Sequence, residues 1–218
     1  MTKILGIDDA GRGPVIGPMT LAGVIIDENE NEELKSYGVK DSKLLTPKNR
    51  KLIKEKINSR FKSHIEISSP KEIDESTNLN YLEAIKSAMI INKLTKEETD
   101  KVKVIIDCPS TNLKAWREDV WKLLEKKEII NLTVEHKADL NHPTVSAASI
   151  LAKEKREDEI EKLKMDLDID FGSGYPADPK TKEFIENNFE NKSYKSIIRY
   201  SWNTVKRLQK AKKQKKLF

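Results

Sequence analysis

Short apolar runs alternate along the chain with segments whose apolar residues recur at helical spacing. Lys3–Ile7 and Leu21–Ile26 read as two successive strands, His64–Ile67 as a third, Val102–Ile106 as a short buried one and Leu132–Val134 as a fifth. Between the first two, Gly11–Pro18 carries three glycines and two prolines, which predicts a tight loop. Thr46-Pro47 has the form of a helix start, a Thr cap followed by Pro at the first helical position, and this helix is expected to run to about Arg60. Leu79–Leu94 places Leu82, Ile85, Met89 and Ile90 at helical spacing, and Leu113–Leu124 reads as a further helix. From Pro143 to about Lys164 the pattern is one long helix. It opens on the small residues Ser146-Ala147-Ala148-Ser149, which permit close packing, and ends as a charged, solvated stretch. A loop over Phe171–Thr181, dense in Gly and Pro, leads to helices near Lys180–Asn188 and Trp202–Lys213.

Strands alternating with helices predict an α/β fold with a helix-covered sheet. The first two strands are close enough in sequence to pair antiparallel, so the sheet is expected to be mixed. Residues 1–165 read as the main domain and 166–218 as a helical appendage with a basic tail, a division that suits 218 residues. With 37% hydrophobic and 35% charged residues, the chain can build a core under a heavily charged surface. The formal net charge is +5, but Lys206–Phe218 alone holds seven Lys or Arg and no acid, which leaves −2 for the rest. The basicity therefore belongs to the tail. Cys108 is the only cysteine, which excludes an intrachain disulfide and a Cys-based zinc site and fits a reducing compartment. No apolar stretch approaches the roughly 20 residues of a membrane span, and no signal peptide is read at the N-terminus. A cytoplasmic location is expected.

The chemistry concentrates where Asp8 and Asp9 close the first apolar run and open directly into Gly11-Arg12-Gly13-Pro14. A hard divalent cation binds several anionic oxygens held close together, and a Gly-Arg-Gly turn lets backbone approach a ligand closely. Together they predict a metal site beside a phosphate. Side chains alternate across a strand, so one of the two carboxylates is expected to face the functional edge and its neighbour the other side. Asp107 ends the run Val102–Ile106, and Asp139 follows the fifth strand and precedes the long helix. Ligands of open α/β sheets sit beyond the carboxyl ends of strands, so Asp8, Asp9, Asp107 and Asp139 are expected to converge on one rim. Without a cation such a group would repel and raise its own pKa values. Two divalent ions about 4 Å apart would activate water and stabilise a leaving oxygen in phosphodiester hydrolysis. Among 36 acids, one after a strand is commonly a cap, and Asp139 taken alone reads that way; the adjacent pair does so less readily. Gly11, Gly13 and Gly17 are one residue off a dinucleotide fingerprint, and Pro14 and Pro18 obstruct the helix it needs. A phosphate loop would require Gly-Lys-Ser/Thr, which is absent.

Six motifs then occur in order: Gly6-Ile7-Asp8-Asp9-Ala10-Gly11-Arg12-Gly13-Pro14; Lys40-Asp41-Ser42-Lys43; the acid Asp107; Glu135-His136-Lys137-Ala138-Asp139 with Val145-Ser146-Ala147-Ala148-Ser149-Ile150-Leu151-Ala152-Lys153; Gly172-Ser173-Gly174-Tyr175-Pro176; and Arg199-Tyr200-Ser201-Trp202. In this combination, spanning nearly the whole chain, the sequence resembles type 2 ribonuclease H (ribonuclease HII), and is most similar to its archaeal and eukaryotic branch. The resemblance implies the ribonuclease H-like fold, a mixed sheet flanked by helices with a C-terminal helical region. It implies cleavage of the RNA strand of RNA–DNA hybrids and nicking on the 5′ side of a ribonucleotide embedded in duplex DNA, leaving 3′-hydroxyl and 5′-phosphate ends. It further implies that Asp8, Asp9, Asp107 and Asp139 hold Mg²⁺ or Mn²⁺, two ions during catalysis. Gly11, Arg12, Gly13 and Tyr175 would read the 2′-hydroxyl, the group that distinguishes RNA from DNA at a site. The family usually carries Glu where this chain has Asp9. The carboxylate remains but is one methylene shorter, and Mg²⁺ tolerates little geometric error, so a shifted metal preference or a lower rate is expected.

Arg12, Lys40 and Lys43 are candidate phosphate contacts, against the alternative that the lysines are ordinary surface residues. His136 and His142 are expected to be structural, and Trp116, Trp121 and Trp202 to be packing residues on helices. The basic tail would meet a nucleic-acid backbone or simply fray as a solvated helix end. Its last residues, with Gln214, Leu217 and Phe218, partly resemble a sliding-clamp-binding peptide, though that motif usually continues to a second aromatic. A monomer is expected. Two other functions stay open: a catalytically weak or silent hybrid-binding protein, because of Asp9, and a different two-metal nuclease on the same fold.

Overall fold

The computed structural model describes residues 2–39 and 45–215. Five strands form one sheet in the order β3-β2-β1-β4-β5: β1 Lys3–Ala10, β2 Met19–Asp27, β3 Lys62–Ser68, β4 Val102–Asp107 and β5 Ile130–Glu135. β1 pairs antiparallel with β2 and parallel with β4, and β4 pairs parallel with β5, so the sheet is mixed as expected. The helices are α1 Asn31–Ser36, α2 Pro47–Arg60, α3 Pro70–Glu75, α4 Leu79–Thr95, α5 Leu113–Lys122, α6 Ala138–Asn141, α7 Pro143–Leu167, α8 Pro179–Asn188 and α9 Asn203–Lys215. The Thr46 side chain accepts from the Asn49 N–H and Pro47 opens α2, the start read from the sequence. The short helices α1, α3 and α6 lack a run long enough to show helical periodicity. Among the described residues no helix is long and apolar enough to cross a membrane.

The chain forms two compact units: Met1–Ala10, Thr20–Glu66 and Asn78–Lys155 in the first; Gly11–Met19, Ile67–Thr77 and Arg156–Phe218 in the second. The second unit therefore draws in two segments from far upstream.

In the first unit, alternation along the strands sorts side chains onto two faces. Ala10, Ala22, Val24 and Ile26 pack with Ala147, Ala148, Ile150, Leu151 and Ala152 of α7 and with Ile53 and Ile57 of α2. Gly6 lies on this face because α7 begins against it. A Cβ there would stand 2.3 Å from the Thr144 carbonyl carbon and 2.4 Å from the Val145 nitrogen. The missing Cβ of Gly6 permits this close approach of the α7 backbone, and the small Ala147 and Ala148 pack into the core on the same face. Gly23 faces the other side, with Ile90 and Leu94 of α4 against it. The face of α4 differs from the expectation in one respect. Met89 is 43% exposed, while Glu83, Lys86 and Ser87 are buried. The stripe of large apolar residues did not reveal how much polar surface the helix buries. Inside the same unit Glu154 of α7 is fully buried and accepts from Arg50 Nε of α2 at 2.8 Å.

In the second unit Val15, Ile16, Ile160, Phe171, Phe184, Ile185, Ile198 and Val205 form the core. Ile16 bridges antiparallel to Ile198, and Val15 and Ile16 both donate to the Gly174 carbonyl.

Candidate active site

Asp8 and Asp9 lie within β1 and not beyond it. The parallel ladder with β4 stops at Ile7↔Ile106, but the antiparallel ladder with β2 continues through Asp8↔Ala22, Asp9↔Leu21 and Ala10↔Thr20. The two aspartates are therefore held rigidly on one side and open on the other. Asp8 has the parity of Gly6 and takes the α7 face, where the Ser149 hydroxyl donates to it. Its Oδ1 also accepts the Asp9 N–H at 2.8 Å. Asp9 has the parity of Ile7 and is directed to the α4 face.

Asp107 closes β4, and its Oδ1 accepts the N–H groups of Lys137 and Ala138 at 2.9 and 3.4 Å. Lys137 holds a left-handed φ of 58°, the turn that starts α6 and brings Asp139 back beside β4. Asp8, Asp107 and Asp139 each offer a carboxylate oxygen, and these atoms lie within 4.8 Å of one another. Asp9 is outside that group, as the alternation of β1 requires.

Burial is the main cause that raises Asp8 well above the ordinary carboxylate range, and the charges of Asp9 and Asp107 add to it. Asp107 is raised by burial and by Asp139, against the lowering effect of its two backbone N–H donors and His136. Three converging carboxylates, two of them disfavoured as anions, are the oxygen-only donor set that suits a hard divalent cation. His136 Nδ1 meets the Cys108 carbonyl at 3.1 Å and His142 Nε2 meets Glu135 at 3.1 Å, structural placements both. Ser149 and the buried Glu83 were missed from the sequence. Glu83 lines a small cavity with Asp8, Asp9, Asp107 and Trp116. The motif around Ser149 was legible, but not which of its hydroxyls would face a carboxylate.

Gly11, Arg12, Gly13 and Tyr175 fall in the second unit, where the structure brings the turn and the tyrosine together. A Cβ on Gly13 would stand 3.6 Å from Tyr175 Cε1, so the turn lies against the edge of that ring. Gly11 has φ +87°, and a Cβ there would be 2.5 Å from Arg156 Cδ and 2.9 Å from the Pro18 carbonyl oxygen. Only Gly fits. The Arg156 guanidinium lies 5.0 Å from the Tyr175 centroid and donates to the Ser173 carbonyl at 3.0 Å. Arg199, fully buried, donates to the carbonyls of Gly11, Arg12 and Gly17. Burial, with Arg156 nearby, pushes its pKa down to about 9. Trp202 precedes α9, packs against the core of the second unit, and in addition donates its Nε1–H to the Gly13 carbonyl at 3.0 Å. Trp116 is buried and likewise donates its Nε1–H to a backbone carbonyl, that of Asn80, and Trp121 carries Arg117 over its ring. Lys40, Lys43, Leu217 and Phe218 lie outside the described residues; Gln214 is exposed near the end of α9.

A family model described as Ribonuclease HII matches residues 5–205. Ribonuclease HII of Pyrococcus furiosus is 43% identical over 217 residues, which cover 98% of this chain and 94% of that protein. Ribonuclease HII of Methanocaldococcus jannaschii is 38% identical over 226 residues, covering 98% of each. Among solved structures, ribonuclease H2 from Pyrococcus horikoshii superposes with a TM-score of 0.84 at 37% identity, over 97% of this chain and 99% of that one. Ribonuclease HII from Archaeoglobus fulgidus, solved in complex with PCNA, gives 0.80 at 34% identity over 92% and 95%.

Proposed function

The chain belongs to the ribonuclease HII family, and we propose that it hydrolyses the RNA strand of RNA–DNA hybrids and nicks duplex DNA on the 5′ side of an embedded ribonucleotide, leaving 3′-hydroxyl and 5′-phosphate ends. The observation that carries this reading is the approach of carboxylate oxygens of Asp8 in β1, Asp107 at the end of β4 and Asp139 in α6 to within 4.8 Å of one another. These residues, with Asp9, would hold two divalent cations, Mg²⁺ or Mn²⁺, which lower the pKa of water and stabilise charge on the leaving oxygen. The chain's own contribution is to fix the carboxylates. Ser149 and the Asp9 N–H hold Asp8, and the start of α6 holds Asp107. Gly11, Arg12, Gly13 and Tyr175 read the 2′-hydroxyl: the turn offers backbone at close range, and the ring, 43% exposed, offers a face to a sugar. Arg12, Lys40 and Lys43 contact phosphates.

In this proposal residues 1–165 carry the chemistry, and residues 166–218 serve the duplex through Tyr175 and the basic tail. The protein acts as a cytoplasmic monomer. A sliding clamp is a partner through Gln214, Leu217 and Phe218, a reading supported by the Archaeoglobus fulgidus relative solved with PCNA. Deleting Gln214–Phe218 should abolish clamp binding in a pull-down; retained affinity refutes it.

The position of Asp9 outside the carboxylate group favours one alternative, a weak or silent hybrid-binding protein. A duplex with a single ribonucleotide, assayed with Mg²⁺ and with EDTA, decides. Metal-dependent nicking 5′ of the ribonucleotide supports the proposal, and binding without cleavage supports the alternative. Cleavage indifferent to the ribose points to another two-metal nuclease.

A further inference from the structure

The turn that reads the ribose is held from behind through its carbonyls. Arg199 Nη2 donates to Gly11 O at 2.8 Å, Nη1 to Arg12 O at 3.2 Å and Nε to Gly17 O at 2.8 Å. Trp202 Nε1 takes Gly13 O at 3.0 Å, and the guanidinium lies 4.9 Å from the Trp202 ring centroid. The segment that carries both residues is itself fixed. Arg199 N–H donates to Val15 O at 2.9 Å. The Asp74 carboxylate accepts from Tyr200 N–H, Ser201 N–H and Ser201 Oγ at 2.7, 2.8 and 2.6 Å.

In a trans peptide the C=O and the following N–H point in opposite directions across one plane, and the described chain has no cis peptide. A Gly11 carbonyl aimed at Arg199 therefore aims the Arg12 N–H away from it. An Arg12 carbonyl aimed at Arg199 does the same for the Gly13 N–H. The next peptide ends on Pro14, which has no N–H to present, and its carbonyl is the one that Trp202 takes. An arginine placed in a protein interior is costly unless its donors are satisfied, and here three backbone carbonyls of a single loop satisfy them.

We propose that Arg199 and Trp202 are positioning residues for ribose recognition: by holding the carbonyl side of the 11–13 turn they present the Arg12 and Gly13 N–H groups side by side to the sugar hydroxyl. This rests on the ribose-reading role given above to the same turn. The pair contributes selectivity for ribose over deoxyribose, through the direction of two backbone donors and without touching the substrate.

The test uses the full chain and equilibrium binding in EDTA, to a duplex with one ribonucleotide and to the same duplex in all-DNA form. Their affinity ratio is the ribose preference. Trp202→Phe keeps a ring and removes one hydrogen bond, and Arg199→Lys keeps the charge and removes the fork. Each should lower the ratio about five- to tenfold, the effect of losing one well-aligned hydrogen bond, with affinity for the all-DNA duplex little changed. In Mg²⁺ the same variants should raise KM on the ribonucleotide substrate more than they lower kcat. Asn188→Ala removes the 2.9 Å bond to the Phe184 carbonyl in the same unit; it should lower the melting midpoint and leave the ratio unchanged. Equal weakening toward both duplexes, or an unchanged ratio in folded Trp202→Phe, overturns the inference. Should Arg199→Lys not fold, Trp202→Phe decides alone. A parent protein without any ribose preference would instead overturn the functional reading on which the inference rests.

Discussion

Replacing Asp8 with Asn should abolish cleavage and at the same time stabilise the metal-free protein. Asp8, Asp107 and Asp139 bring carboxylate oxygens within 4.8 Å of one another. Two unit charges at that separation repel by about 3.5 kcal/mol at an effective dielectric of about 20, and by about 0.9 kcal/mol in bulk water. Asp8 is buried while its partners are half-buried, so each pair falls between these limits. Proton uptake by Asp8 relieves part of this in the parent protein, which leaves a net gain for the variant of about 1–3 kcal/mol near neutral pH. At about 2–4 °C per kcal/mol for a chain of this size, the melting midpoint in EDTA should rise by roughly 2–12 °C. Asn retains an oxygen to accept the Asp9 N–H, so the local backbone need not change. The pH dependence has a definite sign. The folded-state pKa of Asp8 is held well above 3.8 by burial and by its acidic neighbours, so the folded protein takes up this proton more readily than the unfolded chain. The associated stability is complete below about 3.8 and is lost as pH rises through the raised value. The gap between variant and parent should therefore open on going from acid to neutral pH. Saturating Mg²⁺ should close it from the other side. Ion at about a hundred times its Kd stabilises the parent by about 2.7 kcal/mol, and the variant gains less. Thermal unfolding with and without Mg²⁺ reads all of this. A variant that melts at or below the parent in EDTA near neutral pH would refute the reasoning.

Three other perturbations probe the frame around the site. Arg50→Met strands the fully buried Glu154, whose Oε2 has no hydrogen-bond partner among the described residues. The expected cost is about 3–5 kcal/mol, and adding Glu154→Leu should restore most of it; equilibrium denaturation showing no rescue refutes the pairing. Gly6→Ala sets a methyl against α7 backbone that cannot yield. It should cost about 3 kcal/mol and reduce nicking as well, since α7 carries Ser149. A fully active, equally stable variant would mean the helix moves freely. Asp9→Glu restores the methylene that the family usually has, and should raise the rate in Mg²⁺ relative to Mn²⁺; kinetics indistinguishable from the parent in both metals would show that reach at this position is immaterial.

The sequence by itself determined the strands, most helices and the ordering of the chemistry. A buried strand announces itself as an apolar run, and α2 announced its start through Thr46 and Pro47. Period-two alternation already separated Asp8 from Asp9, and β1 obeys it. What the sequence could not convey was contact between distant positions. Arg199 lies 182 to 188 residues from the carbonyls it binds, and the motif Arg199-Tyr200-Ser201-Trp202 marks its place in the chain without showing what it touches. Glu154 falls in the stretch read as solvated and Glu83 carried no signal of its own, because burial of a charge depends on which helix lies against it. The second unit also depends on tertiary structure, since it joins Gly11–Met19 and Ile67–Thr77 to the C-terminal third. Hydrophobic pattern specifies elements through interactions a few residues apart. Which hydroxyl meets which carboxylate, and which arginine orients a turn, follows only when packing brings those elements together.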